Sequence, residues 1–221
     1  MLMTKVLIAL NVAMFVFELT SAGGALFSTA TNQAQRDYGL IPAFVDNGEW
    51  WRIITSGFVH FGIIHIALNI LVIYQISLML EPALGPVRYT LTYLSCLIGG
   101  SAGALLLTDN PFGITAGASG AAFGLVGCAV AGMLMHRMPV IRSNIGGLLI
   151  INLVLTFSIP GISIGGHLGG LVVGFLCGLV LLRPRHGRRR PPTWELLVPI
   201  GLGAVSFAIA MWAATPSPFP L

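Results

Sequence analysis

Apolar residues recur along this chain in runs of about 17 to 25, each long enough to cross a bilayer as a helix, and most charges fall in the stretches between them. Seven runs, over residues 5–22, 56–80, 87–107, 116–136, 144–160, 165–182 and 194–214, predict an all-α, polytopic membrane helix bundle. Residues 23–55 form the one long connection. Its Tyr38, Trp50 and Trp51 are of types that favour membrane interfaces, so the loop is expected to lie partly in the membrane surface. The first run has the look of a signal peptide, with Lys5, an apolar stretch and small residues near Ala22. Asn11 and Glu18 interrupt it, however, and no soluble domain follows.

Composition agrees with this pattern. Hydrophobic residues make up 56% of the chain and charged residues 8%, which excludes an ordinary soluble domain. The net charge of +4 would point to nucleic acid in a soluble protein; here it reads as orientation, and no nucleic-acid partner is expected. With the N-terminus cytoplasmic, that face receives Lys5, Arg88, Arg137, Arg142, Arg183, Arg185, Arg188, Arg189 and Arg190, whereas the opposite face keeps Arg36 and Arg52 beside Asp37, Asp46, Glu49 and Asp109. The positive-inside bias selects this topology. Trp194 and Trp212 lie 18 residues apart, about 27 Å along a helix, a spacing that suits anchors at both interfaces. The arginine-rich stretch 183–190 ahead of Pro191 and Pro192 is a solvated linker able to meet anionic head groups. Cys96, Cys128 and Cys177 all fall inside apolar runs, where they act as small packing residues.

Polar residues within the runs are costly in hydrocarbon and are the first functional candidates. The second run holds His60, His65 and Asn69; the fourth opens on Gly117-Ala118-Ser119-Gly120, and the sixth on Gly165-Gly166-His167. Counted from the nearest cytoplasmic charge, Ser119 stands 18 residues above Arg137, about 27 Å, and His167 stands 16 above Arg183, about 24 Å. His65 stands 16 residues from Glu81, again about 24 Å, with Asn69 about 6 Å lower. Three helices thus bring these groups to one layer. Gly166, Gly170, Gly174 and Gly178 form a four-residue stripe, as do Ala116, Gly120, Gly124, Cys128 and Gly132, and such stripes let membrane helices approach closely. Ser119 and His167 flank that seam, so a hydroxyl and an imidazole could meet as nucleophile activation requires.

Blander roles compete for each residue. A serine in a span commonly bonds back to its own helix. His65 and Asn69, at i and i+4, could simply bond a neighbouring helix. His60, five residues from His65, falls on another face and reads as structural; Asn152 is expected to bond a neighbouring helix, and His136 and His186 to be solvated at the cytoplasmic boundary.

Taken together, Gly48-Glu49-Trp50-Trp51-Arg52, His60, His65, Asn69, Gly117-Ala118-Ser119-Gly120 and Gly166-His167 with Gly170 and Gly174 resemble the rhomboid proteases in order and spacing, from about residue 38 to 180. The resemblance implies a six-helix catalytic core over residues 1–183, followed here by a basic linker at 184–193 and a seventh span with a short tail at 194–221. It implies an intramembrane serine endopeptidase that cuts single-span membrane protein substrates near the outer membrane boundary, at a small residue in a locally unwound stretch. Ser119 would be the nucleophile and His167 the base. His65, Asn69 and the Ser119 N–H would form the oxyanion hole. His60 would hold the long loop, with Glu49, Trp50, Trp51 and Arg52 bracing it and Gly117, Gly120, Gly166, Gly170 and Gly174 in supporting positions. The best-studied relatives have a tyrosine four residues after the serine; here it is Phe123, whose ring can still stack on the histidine but carries no hydroxyl.

No carboxylate stands near the same layer except Glu18 in the first run, so a Ser–His dyad oriented by aromatic packing is expected rather than a Ser-His-Asp set. A zinc protease would need H-E-x-x-H, and no histidine here is followed by glutamate. An aspartyl site would need two intramembrane aspartates, and Gly117-Ala118-Ser119-Gly120-Ala121 is not the G-x-S-x-G elbow. No metal or cofactor is expected. The alternatives are a catalytically inactive rhomboid-like protein that binds client spans, against which intact Ser119 and His167 argue, and a transporter, for which the lack of an internal repeat is a weakness. The short loops point to a prokaryotic cytoplasmic membrane.

Overall fold

Among the residues that the computed structural model describes, 1–21, 31–184 and 192–215, seven long helices follow the seven apolar runs. They are α1 (Leu2–Ser21), α2 (Ile63–Leu84), α3 (Pro86–Leu106), α4 (Ser119–Met135), α5 (Asn144–Ser158), α6 (Ile164–Leu181) and α7 (Leu197–Ala214). No strand occurs among these residues, only an isolated bridge between Leu40 and Thr115. Five segments are long and apolar enough to cross a bilayer: α1, α2, α3, α6, and α7 together with the 3-10 turn Thr193–Leu196 before it. The apolar helices α4 and α5 are shorter, 17 and 15 residues. The chain is an integral, multi-pass membrane protein. Arg185, His186, Arg188, Arg189, Arg190 and the first residues of the long loop lie outside the described residues.

The main difference from the expected spans is at α2, which begins at Ile63 rather than near residue 56 and runs on to Leu84. Residues 56–58 form a 3-10 turn, and Gly62, with φ of 96°, breaks the chain direction just before the helix. His60 therefore lies in the approach to α2, not on one of its faces. Pro82 does not end the helix, because a proline near the C-terminus removes only its own N–H and the chain turns at Gly85 (φ 77°).

Helix α4 is the centre of the bundle, buried along nearly its whole length between α2, α3 and α6. The seam with α6 is built on absent side chains: a Cβ on Gly170, Gly174 or Gly178 would collide with the carbonyl oxygens of Gly120, Gly124 and Cys128. The other side of α6 uses Gly165 and Gly169 in the same way against Gly103 and Gly99 of α3, a second stripe that the sequence reading did not single out. Apolar lipid gives helices no hydrophobic reason to associate, so dense backbone packing of this kind supplies the attraction. Helix α7 packs mainly against α3, with the Ser95 hydroxyl donating to the Pro199 carbonyl (2.6 Å). At the end of the bundle holding the N-terminus, buried Glu195 pairs with Arg183 (3.3 Å) and Arg88 (3.6 Å), and Glu81 accepts from the Met3 and Thr4 N–H groups (3.0 and 2.8 Å). Exposed His136 bonds the Leu182 carbonyl there (3.0 Å).

Gly174→Ala drives a methyl group onto the Gly124 carbonyl and is expected to cost about 1–3 kcal/mol or more of stability. Gly201→Ala, with nothing within 4 Å of its would-be Cβ, is expected to be neutral or to gain up to about 1 kcal/mol from helix propensity. Thermal unfolding in detergent micelles compares the two directly.

Candidate active site

Non-helical backbone is tolerated at membrane depth only where protein buries it or where it lines a wet cavity, and here such backbone leads directly into Ser119. The Leu40 and Thr115 backbones exchange two hydrogen bonds of 2.9 Å, fixing the segment before α4 to the long loop. The Gly117 N–H donates to the Ser56 carbonyl (2.9 Å), and the Ala118 N–H to His60 Nε2 (3.4 Å). His60 Nδ1 lies 3.0 Å from the Phe58 carbonyl, which can only accept, so the ring proton is on Nδ1 and Nε2 is the acceptor that Ala118 needs. The His60 backbone is held in turn: its N–H donates to the Glu18 carboxylate of α1 (3.0 Å), and its carbonyl accepts from Gln35 Nε2 (2.9 Å). Glu18, whose place the sequence left open, thus sits under the loop and not beside His167. Ser119 is the first residue of α4, where backbone N–H groups have no intrahelical partner and the helix dipole favours negative charge.

His167 stands in the first turn of α6, capped by Ser163, whose hydroxyl accepts from the Gly166 N–H (3.0 Å). The Phe123 ring stacks on the imidazole with centroids 4.1 Å apart and an interplanar angle of 19°. His167 Nδ1 lies 2.6 Å from the Thr156 hydroxyl of α5, a contact absent from the sequence reading. No hydrogen bond joins Ser119 to His167 among the described residues; in ligand-free sites such bonds are often long and tighten when substrate binds.

On the facing helix, the Phe61 N–H donates to His65 Nδ1 (3.2 Å), which leaves the ring proton on Nε2. That edge faces Gly117: a Cβ there would lie 2.8 Å from His65 Nε2 and 3.7 Å from Ser119 Oγ, and the backbone φ of 129° suits only glycine. Asn69 gives one amide proton to the His65 carbonyl (2.9 Å), leaving a second to donate elsewhere. Asn152 bonds its own helix at Leu148 (2.8 Å), not a neighbour as expected.

Ser119, His167, His65, Asn69, Phe123 and Thr156 all line one cavity of about 510 Å³, bounded mostly by apolar side chains such as Leu68, Leu97 and Ile114. Gly100, Gly120 and Gly166 meet beneath it: a Cβ on Gly100 would lie 2.9 Å from the Gly120 Cα and 3.0 Å from the Gly166 carbonyl. Arg52, a buried residue, ties the long loop together through Glu49 (2.7 Å), the carbonyls of Arg36 (2.7 Å) and Gly39 (2.8 Å) and the face of Phe44. Trp50 packs edge-on against Trp51 and against Phe207 of α7, so the seventh helix touches the loop as well. Among the described residues no cluster of ligating side chains could hold a metal ion.

The family model described as the Rhomboid domain matches residues 47–184. The chain is 32% identical over 211 residues to Rhomboid protease GluP of Bacillus subtilis, an alignment covering 93% of this chain and 40% of that protein. It is 36% identical over 152 residues to RHOMBOID-like protein 4 of Arabidopsis thaliana, covering 65% of this chain and 37% of the relative. It is 28% identical over 171 residues to Rhomboid-like protease 1 of Toxoplasma gondii, covering 73% of this chain and 57% of the relative. This chain therefore spans about two fifths of the length of the first two.

Replacing Arg52 by Ala removes charge-assisted hydrogen bonds of the kind that contribute about 1.5–3 kcal/mol each. The expected outcome is faster amide hydrogen exchange over residues 36–47, with α4 and α6 still protected.

Proposed function

This chain belongs to the rhomboid family, and from that premise we propose that it is a serine endopeptidase acting within the membrane on protein substrates. The observation that carries the reading is the one cavity shared by Ser119, His167, His65 and Asn69, four polar residues contributed by three helices to a mostly apolar wall. Ser119 Oγ attacks the scissile carbonyl while His167 Nε2 takes its proton, since a serine hydroxyl is a poor nucleophile until a base acts on it. The developing oxyanion accepts from His65 Nε2–H, the second amide proton of Asn69 and the Ser119 backbone N–H at the start of α4. In a low-dielectric cavity such prearranged donors are worth more than in water. His167 then returns the proton to the leaving amine, and water entering the cavity releases the acyl group by the same steps in reverse order. Phe123 supports the imidazole by stacking alone.

The substrates in this reading are single-span membrane proteins. Helix α4 has 17 residues and rises about 25 Å, less than the roughly 30 Å of hydrocarbon, so a Ser119 at its start stands just inside one boundary when its other end reaches the opposite one. With the N-terminus cytoplasmic, as the positive-inside bias favours, that boundary is the outer one. A helical substrate must unwind there before its carbonyl reaches the serine.

The test is cleavage of a single-span substrate by the purified protein, with the cut mapped by mass spectrometry. Ser119→Ala and His167→Ala are each expected to remain folded and to lose nearly all cleavage, and a serine-directed fluorophosphonate should label the unaltered protein at Ser119. Cleavage retained by purified Ser119→Ala protein would sink the mechanism, and a cut near the cytoplasmic boundary would overturn the orientation. Asn69→Ala is expected to lower kcat by about 10²–10³ with little change in KM, because oxyanion contacts strengthen in the transition state. An unchanged kcat removes Asn69 from the site.

A further inference from the structure

We propose that Thr156 is a positioning residue that fixes the tautomer and rotation of His167, in the role that a carboxylate fills in three-residue sites; the proposal rests on the protease reading above. Thr156 is 2% exposed, although its neighbours Leu155 and Phe157 face outward at 39% and 63%, so α5 turns this one hydroxyl into the bundle. Its oxygen lies 2.7 Å from the Asn152 carbonyl one turn back and 2.6 Å from His167 Nδ1. A hydroxyl has a single proton, and a carbonyl can only accept. The one assignment that satisfies both contacts has Thr156 donating to Asn152 and accepting from Nδ1–H of His167. The imidazole proton is thereby held on Nδ1, which leaves Nε2 with a free lone pair, the state a base needs in order to take the serine proton.

Stacking cannot do this work by itself. Phe123 covers the face of the ring and sets its plane, but an aromatic face is indifferent to which nitrogen carries the proton and resists rotation within that plane only weakly. The Thr156 bond lies at the ring edge and supplies both constraints. Among the described residues it is the hydrogen bond that the His167 side chain makes.

Thr156→Val keeps the shape and removes the acceptor, whereas Thr156→Ser keeps the hydroxyl. In the purified full chain, Thr156→Val is expected to lower kcat by about 10- to 10²-fold, within the range assigned to positioned proton transfer. KM should stay within about twofold, because the interaction acts on the base and not on substrate binding. Thr156→Ser should recover most of the rate. Nitrogen-15 spectra of labelled histidine provide a readout independent of turnover: unaltered His167 should carry its proton on Nδ1, and Thr156→Val should show a mixture of tautomers. A spectrum with the proton on Nε2 in the unaltered protein overturns the proposal, as does full kcat in Thr156→Val. If the unaltered protein neither cuts substrate nor accepts the fluorophosphonate, the protease reading fails, while the spectrum still decides the tautomer. If Thr156→Val does not fold, the unaltered protein's spectrum and the Ser variant's rate decide the matter.

Discussion

Three helices cross at Gly100, Gly120 and Gly166 with no side chain between them, and the geometry of the cavity above depends on that crossing. Ser119 and His167 are the immediate chain neighbours of two of these glycines. Successive residues on an α-helix point about 100° apart, so a one-residue slip of α4 or α6 at the seam would turn the hydroxyl or the imidazole out of the cavity. Continuation of the seam through Gly124 with Gly174, and through Cys128 with Gly178, locks that register along most of both helices. Ser119 and His167 are thus held by helix backbones rather than by a loop, the more exact way to fix two side chains relative to each other.

The opposite wall of the site is irregular backbone, and a set of buried polar residues holds it, Glu18, Gln35, Arg52 and His60 among them. Thr115 exchanges backbone hydrogen bonds with Leu40, while the Gly117 N–H donates to the Ser56 carbonyl and the Ala118 N–H to the His60 ring. His60 is secured by Phe58 through its ring, and by Glu18 and Gln35 through its backbone. Arg52 closes the long loop around the carbonyls of Arg36 and Gly39, and the Ser101 hydroxyl bonds the Ile53 carbonyl to join that loop to α3 (2.7 Å). Each of these contacts satisfies a backbone atom that lies outside the seven long helices.

Much of this was legible in the sequence because membrane packing leaves a coarse signature. The seven runs, the glycine stripes of α4 and α6, and the layer of Ser119, His167, His65 and Asn69 all come from residue type and helical spacing alone. The start of α2 was not legible: residues 56–62 are apolar enough to read as helix, and only the positive φ of Gly62 and the tertiary bonds of His60 make them a loop. Glu18 could not be assigned because its partners lie 17 and 42 residues away along the chain. Thr156 was missed for a different reason. A threonine four residues after an asparagine in an apolar span reads as a back-bonded hydroxyl, and it is one. Its remaining lone pairs face another helix, which no spacing rule reports.

The choice of a hydroxyl beside His167 follows from how this bundle treats carboxylates. Glu18 accepts from the His60 N–H and from Gln35; Glu81 accepts from two backbone N–H groups and the Thr4 hydroxyl; Glu195 sits between Arg88 and Arg183. Every buried carboxylate therefore has several donors or cations, as the cost of desolvating a charge demands. Among the described residues, the hydrogen bond at the edge of His167 is the Nδ1 contact with Thr156. A carboxylate there would add a charge whose desolvation cost no lysine or arginine among the cavity-lining residues offsets. A threonine whose proton already rests on Asn152 needs just that single donor, and it holds the imidazole in its basic form without bringing an anion into the hydrocarbon layer.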